Sequence, residues 1–178
     1  MAKEDQAAFL KQARELDGTV LGAIHDQYYP VVYRYLRYRM EDPQLVEDLT
    51  SEVFMRLLDA LKRQRGPLDD LRGWLLGTAS HLVQDHLRLK YRRQEDDLQE
   101  HEHIPGSEHI EHQVEQREEE QRVRSAMKNL TAEQQHVLAL RFSQELSLEE
   151  TARMMGKSVN AVKVLQFRAV EALRRQLK

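Results

Sequence analysis

Apolar residues recur along this chain at intervals of three and four, and no stretch alternates over the length of a strand, so the pattern predicts helices throughout. Residues 1–15 predict a short amphipathic helix through Ala7, Leu10 and Arg14. Asp17 is placed to cap a second helix that carries Val20, Leu21 and Ile24 as far as Tyr28, and Pro30 falls at a favoured first-turn position of the next. There Tyr29, Tyr33, Leu36 and Met40 form a stripe that reads as core. Asp42 and Pro43 open a long helix running to about Arg65, with Leu45, Leu49, Val53 and Leu57 on one stripe and Phe54, Leu58 and Leu61 widening it. Gly66 and Pro67 interrupt the pattern. A short helix with Leu71, Trp74, Leu75 and Ala79 follows, and Ser80 is placed to cap another. In that one Leu82, Val83, His86 and Leu87 line one side, while Asp85, Arg88, Lys90, Arg92 and Arg93 occupy the others.

The periodicity lapses over residues 94–117, which hold Pro105, Gly106, Ser107 and few aliphatic residues, the composition of a flexible linker. It returns with Val123, Met127 and Leu130. Thr131 and Gln134 make a capping box for a helix carrying Val137, Leu138 and Leu140 toward Phe142. Ser147 and Glu150 make another, for a short helix with Leu148, Ala152 and Met155 that Gly156 ends. Ser158 then caps a longer helix. Its apolar stripe is Val162, Leu165, Ala169 and Leu173, leaving Asn160, Lys163, Val164, Phe167 and Arg168 on faces that a DNA major groove can meet. A short helix, a tight turn and a longer basic helix are the order of a helix-turn-helix. The expected fold is all-α: two small helical domains (16–93 and 118–178) joined by an acidic flexible linker (94–117) and preceded by an extension (1–15).

Charge changes the picture once it is located. The 178 residues carry a formal net charge of −3, but residues 94–120 hold eleven acids and one base, so they carry −10 and the remainder of the chain +7. From Arg153 to Lys178 seven basic residues stand against the single acid Glu171, and phosphate is the natural counter-charge. Near the start of the long helix, Glu47, Asp48 and Glu52 gather carboxylates. The helix dipole alone accounts for acids there, and a paired acidic contact for a partner is the alternative, since Asp48 and Glu52 are i,i+4 neighbours. Cysteine is absent, which excludes disulfides and thiolate zinc sites, and no stretch reads as a signal peptide or membrane span; the expectation is a cytoplasmic protein without a membrane contact. His101, His103, His109 and His112 lie in the linker, where a flexible backbone argues for solvated side chains and no metal. No constellation of catalytic groups on rigid elements is visible, so neither an enzyme nor a cofactor is expected.

Four stretches, in this order, resemble the bacterial RNA polymerase sigma factors of the extracytoplasmic-function type: YYPVVYRYLRYRM, VEDLTSEVFMRLLDAL, LRGWLLGTASHLVQDHLR, and LTAEQQHVLALRF with LSLEETARMMGKSVNAVKVLQFRAVEALRR. The resemblance covers nearly the whole chain. It implies a promoter-specificity subunit that partners RNA polymerase core (the clamp of the largest subunit and the flap of the second largest) and promoter DNA, and that an anti-sigma factor usually holds inactive. It places Asp48, Glu52 and Arg56 on the polymerase-binding helix. Trp74, His81, Asp85 and Arg88 fall in the segment that holds unstacked bases of the minus-ten element, and Ser158, Asn160, Lys163, Val164, Phe167 and Arg168 at the minus-thirty-five element. The chain departs from the family pattern at His81, where asparagine is common, and at Leu165, where an arginine is expected. A stand-alone helix-turn-helix regulator is the alternative, but it leaves the N-terminal half without a role.

Overall fold

The computed structural model describes residues 10–67, 69–96, 122–123 and 125–177. All the regular structure among them is helical: α1 (10–14), α2 (Gly18–Arg39), α3 (Pro43–Lys62), α4 (Leu71–Asp96), α5 (125–128), α6 (Ala132–Leu138), a π-helical turn (Ala139–Ser143), α7 (Leu148–Met155) and α8 (Val159–Gln176). Elements α1–α4 make an N-terminal lobe and α5–α8 a C-terminal one. The four linker histidines and most of the acidic stretch fall in 97–121, outside the described residues.

The caps stand where the sequence puts them. Asp17 accepts from the amides of Thr19 and Val20, and Asp42 from that of Gln44 with Pro43 following it. Thr131–Gln134 and Ser147–Glu150 are both reciprocal capping boxes, and Ser158 accepts from the amide of Ala161. Gly156 adopts φ 62°, the left-handed conformation that only glycine takes without a steric cost.

Two predicted breaks are absent. Pro30 does not begin a helix; it lies inside α2, which runs unbroken from Gly18. Proline removes one backbone hydrogen bond and crowds the preceding turn, at about 3 kcal/mol. Ile24, Tyr28, Val32, Tyr35 and Leu36 are buried on both sides of it, and full burial of each such side chain contributes about 1.5–3 kcal/mol, so the continuous stripe prevails. The tyrosines divide differently from the predicted stripe: Tyr28 and Tyr35 enter the core, while Tyr29 and Tyr33 are half-buried and stack on one another with centroids 6.1 Å apart. Likewise Ser80 is no cap. It is buried within α4, between Leu75, Leu76 and Ala79 on one side and Leu82 and Val83 on the other. The cap of this helix is Asp70, which accepts from the Gly73 amide at 2.7 Å.

The C-terminal core gathers Met127, Leu130, Val137, Leu138, Ala152, Val162 and Ala169. Ala139, Leu140 and Leu146 do not belong to it; they pack into the core of the N-terminal lobe, so the two lobes are in apolar contact. Polar bonds cross the same seam. Gln144 Nε2 donates to the Val31 carbonyl at 3.2 Å, Arg72 Nη2 to the Gln144 carbonyl at 2.8 Å, and Lys128 pairs with Glu41.

Candidate nucleic-acid interface

Three exposed faces collect the candidate residues. The first is on α3, where Val46, Thr50, Val53, Phe54, Leu57 and Leu61 face inward and Asp48, Glu52 and Arg56 therefore point out. Asp48 accepts from Gln44 Nε2 at 3.3 Å. Glu52 is paired to Arg56 at 2.8 Å, one turn on, so the two acids are not equivalent: Glu52 has a cation beside it, and Asp48 has no ion pair among the described residues. Both groups of the pair are about half exposed, and such a pair contributes only a few tenths of a kcal/mol to the helix.

The second face exists because α4 is one helix. Positions 74, 81, 85 and 88 are separated by seven, four and three residues, so an unbroken helix sets Trp74, His81, Asp85 and Arg88 on one stripe. A break at Ser80 would have separated Trp74 from the rest. Trp74 is half-buried against the N-terminal core, and His81, Asp85 and Arg88 are exposed. Asp85 and Arg88 approach to 3.9 Å, a loose, solvated pair that leaves the guanidinium available to a second anion. The stripe thus pairs a ring held by packing with an imidazole and a cation free in solvent, the side chains suited to stacking on and hydrogen-bonding unpaired bases.

The third face is on α8. Val162 and Ala169 are fully buried and Leu165 is half-buried, which turns Asn160, Lys163, Val164, Phe167 and Arg168 outward. Val164 is 49% and Phe167 67% exposed, the latter the most exposed large apolar side chain among the described residues. Neither Lys163 nor Arg168 takes part in an ion pair among the described residues. Two other bases counted toward phosphate are already engaged: Lys157 pairs with Glu133 and Arg174 with Glu171, each at 2.8 Å. Ser158, exposed at the start of α8, accepts from the Ala161 amide at 3.2 Å as the helix cap. The short helix before it is anchored by Glu150, whose carboxyl is held below its usual range first by the backbone hydrogen bond to Ser147 and then by that residue's side chain.

Sequence reasoning missed Arg141. From the π-helical turn its Nε donates to Gln166 Oε1 at 3.0 Å, and Nη1 donates to the Leu146 carbonyl, tying α8 to the turn that precedes the helical hairpin. It missed His136 as well, which is buried at the seam between the lobes with Nδ1 2.7 Å from the Tyr35 hydroxyl. No periodic signal marks either residue. Among the described residues, no helix is long and apolar enough to cross a membrane.

Two family models match separate parts of the chain. Residues 24–93 match the family model of sigma-70 region 2, and residues 126–175 that of sigma-70 region 4. The ECF RNA polymerase sigma factor BldN of Streptomyces coelicolor is 38% identical over 175 residues, 93% of this chain; the chain spans 62% of the length of BldN. A Mycobacterium bovis protein named "Probable RNA polymerase sigma-C factor" is 30% identical, with 97% of this chain and 92% of that protein covered. The structure of CnrH in complex with the cytosolic domain of CnrY shares the fold, with a TM-score of 0.69 at 21% identity over 97% of this chain and 96% of CnrH.

Proposed function

From the premise that this chain belongs to the RNA polymerase sigma factors of the extracytoplasmic-function type, we propose that it directs RNA polymerase core to promoters and has no catalytic activity of its own. The α3 face, with Asp48 as its free charge, docks on a basic surface of the polymerase clamp. The α4 stripe receives unstacked bases of the minus-ten element, with Trp74 as packing support, His81 as the base contact and Arg88 on phosphate. The α8 face enters the major groove of the minus-thirty-five element while the C-terminal lobe lies against the flap. Lys163 and Arg168 supply sequence-independent phosphate attraction, and Asn160 can read a base edge. Val164 and Phe167 offer apolar contact suited to the 5-methyl groups of thymine. An anti-sigma factor is the further partner, in keeping with the structure of the sigma factor RpoE in complex with the anti-sigma factor NepR from Bartonella quintana. The cytoplasm is the compartment these partners require.

The observation that carries this reading is the coexistence of two exposed candidate faces, one on α4 and one on α8, on lobes that match regions 2 and 4 separately. A single duplex reader needs only the second. The test is to mix the purified chain with core polymerase, follow co-elution, and ask for transcription from selected promoters. Duplex binding with no association to polymerase would replace this reading by a stand-alone regulator.

A further inference from the structure

We propose that neutral His136 latches the two lobes together through Tyr35, and that its protonation releases them. His136 belongs to α6 of the C-terminal lobe, and Tyr35, with which it shares a 2.7 Å hydrogen bond, to α2 of the N-terminal lobe. The neighbouring donor favours one direction for that bond, since the opposite one would leave the buried Tyr35 hydrogen without an acceptor. Arg39 Nη1 donates to the Tyr35 hydroxyl at 2.7 Å, so the hydroxyl directs its single hydrogen to Nδ1, which must accept. The ring is then neutral with its proton on Nε2. Ser80 of α4 repeats the arrangement more loosely: its hydroxyl oxygen receives Arg39 Nη1 and Gln84 Nε2, each at 3.4 Å, and lies 3.5 Å from the same Nδ1. A proton on Nδ1 would deprive the Tyr35 hydroxyl hydrogen of this acceptor.

Burial opposes protonation first, and the Arg39 guanidinium adds to it. The groups facing His136 from α2 are Tyr35 and the Arg39 guanidinium, and from α4 Ser80 and, more remotely, His81. Tyr38 packs on both lobes, and burial pushes its hydroxyl up, so it is neutral too. The neighbouring α6 residues Val137 and Leu138 share the apolar C-terminal core with Val162 and Ala169 of α8, and the acid on α6 itself, Glu133, is engaged by Lys157. Among the described residues no carboxylate acts on the ring. Arg39 Nε and Nη2 are already buried without hydrogen-bond partners among the described residues, so a second cation beside them would be especially unfavourable.

The consequence is a pH dependence of lobe packing with a defined sign. Burial first, then Arg39, then His81 hold the packed imidazole at about 3, against 6.5 for the free side chain. The parted lobes take up a proton as pH falls through 6.5, and the packed lobes do not until about 3. Packing is therefore at full strength above 6.5 and weakens progressively below it; from pH ~7.5 to ~5.5 the ratio of packed to parted chains falls about tenfold. This is a property of the free chain and stands apart from the promoter reading, since it requires neither polymerase nor DNA.

Because the chain has no cysteine, a single introduced thiol can report the opening. Ser143 is buried at the seam, its hydroxyl donating to the Arg34 carbonyl of the other lobe at 3.4 Å. In Ser143→Cys the thiol reacts with dithiodipyridine only when the lobes part. Its rate is divided by that of a free thiol at the same pH, with helical circular dichroism followed in parallel. The quotient should rise about tenfold from pH ~7.5 to ~5.5 at constant helicity, and stay flat with His136→Asn, whose amide oxygen can accept from Tyr35 but cannot be protonated. A flat quotient in the single variant, an equal rise in the double variant, or a rise that tracks lost helicity would each overturn the latch. If His136→Asn does not fold, the carbon-13 titration of the His136 ring in the unaltered chain decides: a midpoint below about 4.5 is expected, and one near the free value of about 6.5 overturns it.

Discussion

Replacing Phe167 with alanine separates reading from folding, because the ring is mostly outside the fold. Full burial of a phenylalanine side chain contributes about 1.5–3 kcal/mol. With 67% of the residue exposed, about a third of that is realised within the chain, so Phe167→Ala should lower stability by only about 0.5–1 kcal/mol. The remaining two thirds, about 1–2 kcal/mol, is available to whatever covers the ring, which corresponds to a five- to thirtyfold change in Kd. If the cover is a thymine methyl, removing the methyl should reproduce the effect from the other side. The assay is fluorescence anisotropy of polymerase carrying this chain on upstream-element duplexes in which each thymine is replaced in turn by uracil. One uracil position should cost the parent complex most of that factor and cost the Phe167→Ala complex nothing further, the coupling a direct contact produces. Binding of the variant within twofold of the parent, or equal sensitivity of both to every uracil, would refute the argument.

Three further outcomes are expected. Asp48→Arg should weaken association with core polymerase by about 2–4 kcal/mol in a competition assay, and Glu52→Gln by less than about 1 kcal/mol because Arg56 already offsets that charge; equal losses would contradict the inequality of the two acids. Trp74→Ala should lower thermal stability by about 2–3 kcal/mol, less than a full core truncation since the ring is half-buried, whereas His81→Ala should leave melting unchanged and reduce permanganate reactivity of promoter thymines in the open complex. Glu150 has a folded-state value below its ordinary 4.5, so the stability it contributes is present above 4.5 and lost as pH falls through the lower folded value. Glu150→Gln, which keeps a capping acceptor, should therefore flatten the decline in melting temperature below pH ~4.5, and an unchanged acid slope would assign that decline to other carboxyls.

Each feature that the sequence made legible has its cause within about one helical turn. A cap needs an oxygen and an amide two or three residues apart, and a chain reversal needs a residue tolerant of positive φ. Asp17, Asp42, the two capping boxes, Gly156 and Ser158 are therefore readable without the rest of the molecule. The outward face of α8 is readable for the same reason, because a buried stripe of Val162 and Ala169 leaves Lys163, Phe167 and Arg168 no other direction.

Pro30 and Ser80 show where local reading stops. Each is a sound break or cap signal by itself, and each is overridden by apolar stripes that continue through it and find partners on other helices. Whether α4 is one helix or two decides whether Trp74 shares a face with His81 and Arg88, so the composition of the candidate site waited on packing. The same holds more strongly for the seam. Tyr35 and His136 are 101 positions apart, and nothing near either marks it as the other's partner. Helical periodicity says which face of a segment turns inward but not which segment it will meet, because burial is favourable against any apolar surface and only the closed, close-packed arrangement selects one.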